Sequence, residues 1–357
     1  MRLPEDLIVF ITSQCQLRCK HCFYWKSLEE KRSLPLLEVE SLSKSLPKLR
    51  RLSLSGGEPF LRRDLVELCR YFLENCQLDL LEIPTSGTVE SIPMTVEKIA
   101  AIRPYVQLSI SISLDGLAEY HDMNRGKQGT FSKAVECCRA LLKLKEKIKN
   151  LKVNIITTVT KDNTDELLSL LSFIERELPF IDNLFWGVLR GNLKDEAPDV
   201  PSVHELEQID KQFMAFKVTG KDASAHAFER AFYGKRLEAL KENRQPVPCV
   251  AGNSIAVVYE DGAVAPCELL PPVGKIREKS FDTIWNGEEM TAVRKRIRAN
   301  SCACAHGCFL GPSYREYLQK KPLALFRVLG IRGVINRVIE VSNLGCFAKA
   351  VRMVFSR

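Results

Sequence analysis

The chain has 357 residues, 45% of them hydrophobic and 27% charged, with a formal net charge of +8, a composition ordinary for a globular protein of one large domain and one small one. The charge is too modest for this length to imply a nucleic-acid partner, and no apolar run approaches the ~20 residues of a membrane span. Met1-Arg2-Leu3-Pro4-Glu5-Asp6 lacks the basic-then-apolar pattern of a signal peptide, so a cytoplasmic location is expected, and in that reducing setting thirteen cysteines argue for metal ligands more than disulfides.

Strand-like runs fall at residues 7–11, 51–55, 78–83, 106–114, 152–159 and 183–189. Helical stretches lie between them near 36–49, 64–76, 94–102, 132–148 and 164–176. Such alternation with right-handed crossovers predicts an α/β protein, a parallel sheet with helices outside. Six units are too few for a closed eight-stranded barrel.

After the first strand comes Cys15-Gln16-Leu17-Arg18-Cys19-Lys20-His21-Cys22. Three thiols at spacings of four and three residues, with no fourth nearby, suggest an incomplete metal site. Structural zinc wants four closed ligands, whereas a cubane iron–sulfur cluster on three thiolates leaves one iron open. A zinc knuckle or three unrelated thiols is the plainer alternative. At later strand ends stand Gly56-Gly57-Glu58-Pro59, Thr85-Ser86-Gly87 and Ser111-Ile112-Ser113-Leu114-Asp115-Gly116. The glycines let backbone approach a ligand closely, although each stretch taken alone also reads as a turn, and Asp115 is expected to be a turn former.

In this order and combination these motifs resemble the radical SAM superfamily, over roughly residues 5–310, with His21 at the usually aromatic position before the third cysteine. The resemblance implies an open, partial (β/α)6 barrel in which Cys15, Cys19 and Cys22 hold a 4Fe–4S cluster. S-adenosylmethionine (SAM) would chelate the fourth iron. Gly56, Gly57, Glu58 and Pro59 would bind its methionine amino group, and Ser86 and Ser113 its ribose or carboxylate. The stretch from Glu119 to Phe131, with His121, Arg125-Gly126 and Gly129-Thr130-Phe131, resembles SPASM-type members. Arg125 is the expected partner of the SAM carboxylate, since a bidentate fork suits that group; His121 is expected to be structural or at the surface.

Gly191-Asn192 and Pro198-Asp199-Val200-Pro201 mark a linker. Ser202 with Glu205 predicts a capping box opening a solvated helix. Phe185, Trp186 and Tyr233 are expected in an aromatic core more than in a substrate cavity. Further on, Glu260-Asp261-Gly262 joins residues 255–259 and 263–266 as a hairpin, expected to bring Cys249 and Cys267 together. A helical stretch near 280–298 precedes Cys302, Cys304 and Cys308. With Gly274-Lys275-Ile276 and Ile284-Trp285, this region resembles the SPASM/twitch extension, which holds auxiliary 4Fe–4S clusters. The full SPASM pattern has seven cysteines for two clusters; five here imply one auxiliary 4Fe–4S cluster. Cys302 and Cys304 compete for its fourth position, and structural zinc is the alternative. Cys69, Cys76, Cys137, Cys138 and Cys346 are expected to be small buried hydrophobes.

The expected organisation is a barrel over 1–200, a helical linker over 201–245, the auxiliary cluster domain over 246–312 and a basic amphipathic helical tail over 313–357. In that tail Arg332, Asn336, Arg337 and Glu340 make a narrow polar strip. Residues 322–357 would either contact a membrane surface or, the commoner use, pack as a helix. The resemblance implies an enzyme that cleaves SAM to a 5′-deoxyadenosyl radical and abstracts a substrate hydrogen. Its partners would be an electron donor such as a flavodoxin or ferredoxin and a peptide or protein, or else a lipid or isoprenoid, as substrate. A degenerate member using its clusters for electron transfer or structure is the alternative.

Overall fold

The six expected strands form one continuous parallel run in the computed structural model, which describes residues 3–194, 197–216, 223–299 and 302–330. They are β1 (Asp6–Thr12), β2 (Lys48–Gly56), β3 (Gln77–Thr85), β4 (Gln107–Ser113), β5 (Leu151–Val159) and β6 (Asn183–Val188), paired in sequence order. The intervening helices are α1 (Leu36–Ser45), α2 (Leu65–Asn75), α3 (Ile92–Ile102), α4 (Ala118–Arg125), α5 (Thr130–Lys145) and α6 (Leu167–Glu177). The first expected helix overran its end: Leu46 caps α1, and Leu49 already lies fully buried in β2. The separating signal is Pro47, which has no N–H to donate and disfavours helical backbone at Leu46 before it.

All seven residues of β1 are buried, as a strand covered on both faces and both edges must be. β2 pairs along one edge, from Asp6↔Arg51 to Thr12↔Gly56. The other edge is taken by β7 (Ile255–Val258), parallel, from Asp6↔Ile255 to Val9↔Val258. β8 (Ala263–Ala265) and β9 (Gly274–Lys275) then follow antiparallel, so the sheet has nine strands in the order β6-β5-β4-β3-β2-β1-β7-β8-β9. The expected hairpin is present, with Gly262 at φ +83° and Asp261 Oδ1 accepting the Ala263 N–H, but it extends the main sheet.

The chain divides into two units, residues 1–219 with 251–301, and 220–250 with 302–357. The residues expected to form a 246–312 domain are therefore shared between them. In the first unit α7 (Val203–Ala215) starts at the expected capping box, with the Glu205 N–H donating to Ser202 Oγ and the Ser202 N–H to Glu205 Oε2. Trp186 is buried against Phe213. After α8 (Ala223–Glu242), which belongs to the second unit, the first unit resumes. The stretch expected to be helical near 280–298 is broken at Asn286-Gly287 into α9 (Phe281–Trp285) and α10 (Glu288–Arg298).

The second unit contains α8 and α11 (Gly307–Lys320). Leu310, Tyr314, Leu318, Leu325 and Leu329 cluster with Val247, with Phe228 and Phe232 against them. The start of the expected tail thus uses its leucines for packing. Cys69, Cys76, Cys137 and Cys138 are buried as expected, while Cys346 and the polar strip from Arg332 to Glu340 lie outside the described residues.

Because β7 pairs with β1 from Asp6 to Val9, a fragment ending at residue 245 would leave that row of backbone N–H and C=O groups open to other chains. The expected outcome is aggregated or multimeric fragment in size-exclusion chromatography; a folded monomer would show that β7 is dispensable.

Candidate active site

Every strand of the parallel run points its carboxyl end to the same side, where ligand sites of parallel α/β sheets form. There the chain leaves a cavity of about 220 Å³. Its lining includes Cys15, Cys19 and Cys22 from the loop after β1, Gly56, Gly57, Glu58 and Pro59 after β2, Ser86 after β3, Ser113 at the end of β4, and Arg125 at the end of α4. All ten expected residues of the first cluster and of SAM binding line this one cavity. The wall is completed by Phe23, Tyr24, Leu28, Ile156, Thr158, Val188, Leu189 and Arg190, among others.

The cysteine loop is fastened at its middle. The last carbonyls of a helix have no partner inside the helix, and at the end of α4 two of them face the loop. The Arg18 N–H donates to Arg125 O at 3.2 Å and the Lys20 N–H to Asn124 O at 2.8 Å. Gly126 ends α4 at φ +70°, and a Cβ there would lie 2.9 Å from Arg18 O, so the close approach requires glycine. The Asp122 carboxylate accepts from the Gly129 and Phe131 N–H groups and from Thr130 Oγ1. The motif around Arg125 thereby joins α4 to α5.

Asp115, expected to be a turn former, is fully buried and ion-paired with Arg125 Nη2 at 2.7 Å. It also accepts from the Thr158 N–H and from Asn124 Nδ2. Burial alone would raise its pKa, but Arg125 and the two nearby histidines, His21 and His121, hold the carboxyl below the usual range. Arg125 Nη1 lies 3.8 Å from Cys19 Sγ, and its Nε has no hydrogen-bond partner. A fixed cation beside one of three cavity thiols, with a buried donor left over, fits thiolates holding a metal cluster. Burial pushes the Cys15 thiol up to about 12 and raises Cys22 as well, so these two need a bound cation to stay deprotonated.

Glu58 is buried and fully engaged. Oε1 accepts from Thr85 Oγ1 at 2.8 Å and the Phe60 N–H at 3.3 Å; Oε2 accepts from the Ser86 N–H at 2.9 Å and Ser86 Oγ at 2.6 Å. Burial raises its pKa against these donors. Its geometry ties the end of β2 to the end of β3. Gln16 Nε2 reaches Ser86 Oγ and Thr88 Oγ1, so the cysteine loop joins the same network. The Gly57 and Glu58 N–H groups donate to Thr12 O and Gln14 O, each at 2.8 Å.

His121 is buried, and its Nδ1 accepts the Asp115 N–H at 3.1 Å, which places the proton on Nε2. Burial, then Arg125, lower its pKa to about 4. Burial also lowers that of His21, whose ring meets the Asn124 amide. Sequence reasoning passed over Asp115, Thr158 and Arg190 as site residues. Their place at or just past strand ends was the available signal. Phe185 and Trp186, by contrast, do not line this cavity.

Of the five cysteines expected at the auxiliary cluster, Cys267 lies in the first unit and Cys249, Cys302, Cys304 and Cys308 in the second. The His306 N–H points at Cys304 Sγ at 3.3 Å and the Leu269 N–H at Cys267 Sγ at 3.4 Å; backbone donors of this kind favour thiolate.

The family model of the radical SAM superfamily matches residues 9–174, and an iron–sulfur cluster-binding domain model, SPASM, matches residues 249–309. An AdoMet-dependent heme synthase of Methanosarcina barkeri is 28% identical over 91% of this chain and 97% of its own length. A cysteine-type anaerobic sulfatase-maturating enzyme of Clostridium novyi is 23% identical over 86% of this chain and 88% of its own length. The solved structure titled "Native anSMEcpe with bound AdoMet" superposes with a TM-score of 0.60 at 18% identity, covering 95% of this chain and 99% of that one. The fold is shared with that structure.

Two outcomes test the site. A Cβ on Gly56, at φ +133°, would stand 2.1 Å from Thr12 O, so Gly56→Ala should lower unfolding stability by about 1–3 kcal/mol, measured by urea titration. The neutral, buried His121 should act on the pH profile. The unfolded imidazole takes up a proton near its ordinary 6.5 and the folded one near 4. Stability is therefore held above pH 6.5 and lost as pH falls toward 4, by on the order of a few kcal/mol. His121→Gln should flatten that part of the profile; an unchanged slope would place the titration elsewhere.

Proposed function

We propose a reaction for a chain that belongs to the radical SAM superfamily and carries a SPASM iron–sulfur cluster-binding region. It is an enzyme, and its cofactors are SAM and 4Fe–4S clusters. The proposed function is reductive cleavage of SAM and removal of a hydrogen atom from a substrate carbon, with one auxiliary 4Fe–4S cluster. The observation that carries this reading is the convergence of Cys15, Cys19 and Cys22 with the ends of β2, β3 and β4 on one cavity.

When bound, the cluster and SAM supply a one-electron cleavage of SAM to methionine and a 5′-deoxyadenosyl radical that takes a substrate hydrogen. The protein residues orient and shield. Cys15, Cys19 and Cys22 would hold the cluster; Arg125, expected at the SAM carboxylate, has its terminal nitrogens at Asp115 and Cys19 Sγ and would stabilise the Cys19 thiolate. Gly56, Gly57, Glu58 and Pro59 present the backbone at the end of β2 to the methionine amino group. Ser86 and Ser113 face ribose or carboxylate. Glu58 acts through the alignment of Gly57 and Ser86, since both its oxygens already accept protein donors. Phe23 and Tyr24 give the cavity wall two aromatic rings.

Cys249, Cys267, Cys308 and one of Cys302 and Cys304 are the proposed ligands of the auxiliary cluster. In sequence, the proposed cluster region, 246–312, follows a barrel over 1–200 and a helical connection over 201–245. An electron donor of the flavodoxin or ferredoxin type completes the system. For the substrate, the names of the two relatives point to heme synthesis in one case and sulfatase maturation in the other. A peptide or protein is one class supported in this way and a tetrapyrrole the second. The lipid reading and the membrane contact of residues 322–357 rest on a stretch that is mostly outside the described residues; no helix among the described residues is long and apolar enough to cross a membrane.

The direct test is anaerobic turnover. The protein reconstituted with iron and sulfide, reduced and given SAM without substrate should form 5′-deoxyadenosine slowly, with about eight irons per chain, two cubanes. A fully loaded protein that leaves SAM intact would favour the degenerate alternative. Replacing Cys15, Cys19 and Cys22 together with Ala should abolish SAM cleavage and leave the absorbance of the second cluster. Loss of both absorbances would contradict two independent sites.

A further inference from the structure

Two arginines line the cavity, and they are engaged differently. Both terminal nitrogens of Arg125 are committed, one to Asp115 and one beside Cys19 Sγ. Arg190 stands two residues past the end of β6. Its Nε donates to Glu268 Oε2 at 3.0 Å, and its guanidinium lies over the Phe23 ring, 4.2 Å from the centroid. Glu268 is itself buried, with 3% of its side chain exposed, while Arg190 keeps 32% exposure. One edge of the guanidinium and one face are thus fixed, and Nη1 and Nη2 have no protein hydrogen-bond partner among the described residues.

The backbone that carries Arg190 is also held. Trp25 Nε1 donates to Asn192 O at 3.1 Å, and Gly191 packs on the Phe23 side chain. The loop after β6 is therefore seated on the segment that follows Cys22. The cavity that Arg190 lines also has apolar wall residues, Leu28, Ile156, Val188 and Leu189. A planar fork with two unused donors, in a cavity that also has apolar lining, is complementary to a carboxylate on an apolar body. Orientation by Glu268 and Phe23 removes much of the rotamer entropy that binding would otherwise cost.

We propose that Arg190 is the substrate-recognition residue of this cavity and that it binds a carboxylate carried by an otherwise apolar substrate, next to SAM. This deepens the proposed function and rests on the reading that SAM is cleaved in this cavity. Arg190 takes no part in the bond-breaking step; it sets which substrates are held and which carbon faces the reacting centre. A peptide carboxylate and a carboxylate side chain of a tetrapyrrole share this chemistry.

The test uses octanoate, which joins one carboxylate to a small apolar body, with 1-octanol as its uncharged match. Binding is measured by anaerobic calorimetry on the full, reconstituted, unreduced chain saturated with SAM, alongside the SAM affinity itself. Octanoate should bind about tenfold more tightly than octanol, and Arg190→Gln should bring it to the octanol level, as losing one charge-assisted fork predicts. Arg190→Lys, which keeps the charge without the fork, should fall between and controls for a disturbed loop, while SAM affinity stays within about twofold. An equal loss of SAM affinity in Arg190→Gln would assign the fork to the SAM carboxylate and overturn the proposal. So would octanoate binding that is absent, matches octanol, or survives Arg190→Gln. Cluster absorbance and 5′-deoxyadenosine formation by the unaltered protein report separately on the radical SAM reading, so the two failures are distinguishable.

Discussion

The cysteine loop depends on the end of one short helix. Residues 15–22 have no regular structure to hold them, and their thiols must face a common centre. The α4 carbonyls of Asn124 and Arg125 receive the Lys20 and Arg18 N–H groups, so backbone groups that helix geometry leaves unsatisfied become the support of the loop. The side chain at the same position then supplies charge. Arg125 pairs with Asp115 in a site from which water is excluded, and breaking one partner of such a pair leaves an uncompensated buried charge, which is strongly destabilising. The two contacts come from one residue, so the position of the loop and the electrostatics beside Cys19 cannot vary independently.

From that point the constraint passes along the sheet. Asp115 accepts the Thr158 N–H and so registers β4 against β5 at the cavity. On the other side, Glu58 gathers donors from Thr85 and Ser86 and registers β2 against β3. A buried carboxylate is costly unless its oxygens are satisfied, and here both are. These two acids at strand ends make the cavity rim rigid before any ligand arrives, the condition for positioning a reactive species against one bond. Their positions also explain why residues far apart in sequence meet: each follows the same structural unit, a parallel strand reaching its carboxyl end.

The strand at the centre of this arrangement, β1, is closed on its far side by β7. The chain returns more than two hundred residues later to cover the edge beside the cysteine loop. Phe10 of β1, Phe23 and Tyr24 of the cavity wall and Tyr259 of the hairpin form one ring cluster, and Tyr24 is hydrogen-bonded to Glu260. The segment that ends in Cys267 is thus built onto the first barrel strand. Aromatic packing of this kind is stiff and adds to simple area burial, so the hairpin is part of the support of the first site as well as a carrier of a further cysteine.

Much of this was legible in the amino-acid sequence, because local chemistry carries local signals. The alternation of apolar runs set out six strands and their helices, the capping box at Ser202 and Glu205 marked the start of α7, and the spacing of Cys15, Cys19 and Cys22 with the strand-end motifs picked out ten residues that meet in the cavity. What could not be read were relations between distant elements. Asp115 looked like a turn residue, since its partner Arg125 becomes a neighbour only when α4 folds back. Arg190 carried no motif, since its meaning lies in Glu268 and Phe23, each contributed by another segment. The hairpin looked like part of a separate domain, because a four-residue apolar strand does not state which edge it will join. The chemistry of the site was determined by residue type and spacing along the chain; its charge balance and the closing of β1 were decided by tertiary structure, since buried ion pairs and strand edges are satisfied in three dimensions and leave no period in one.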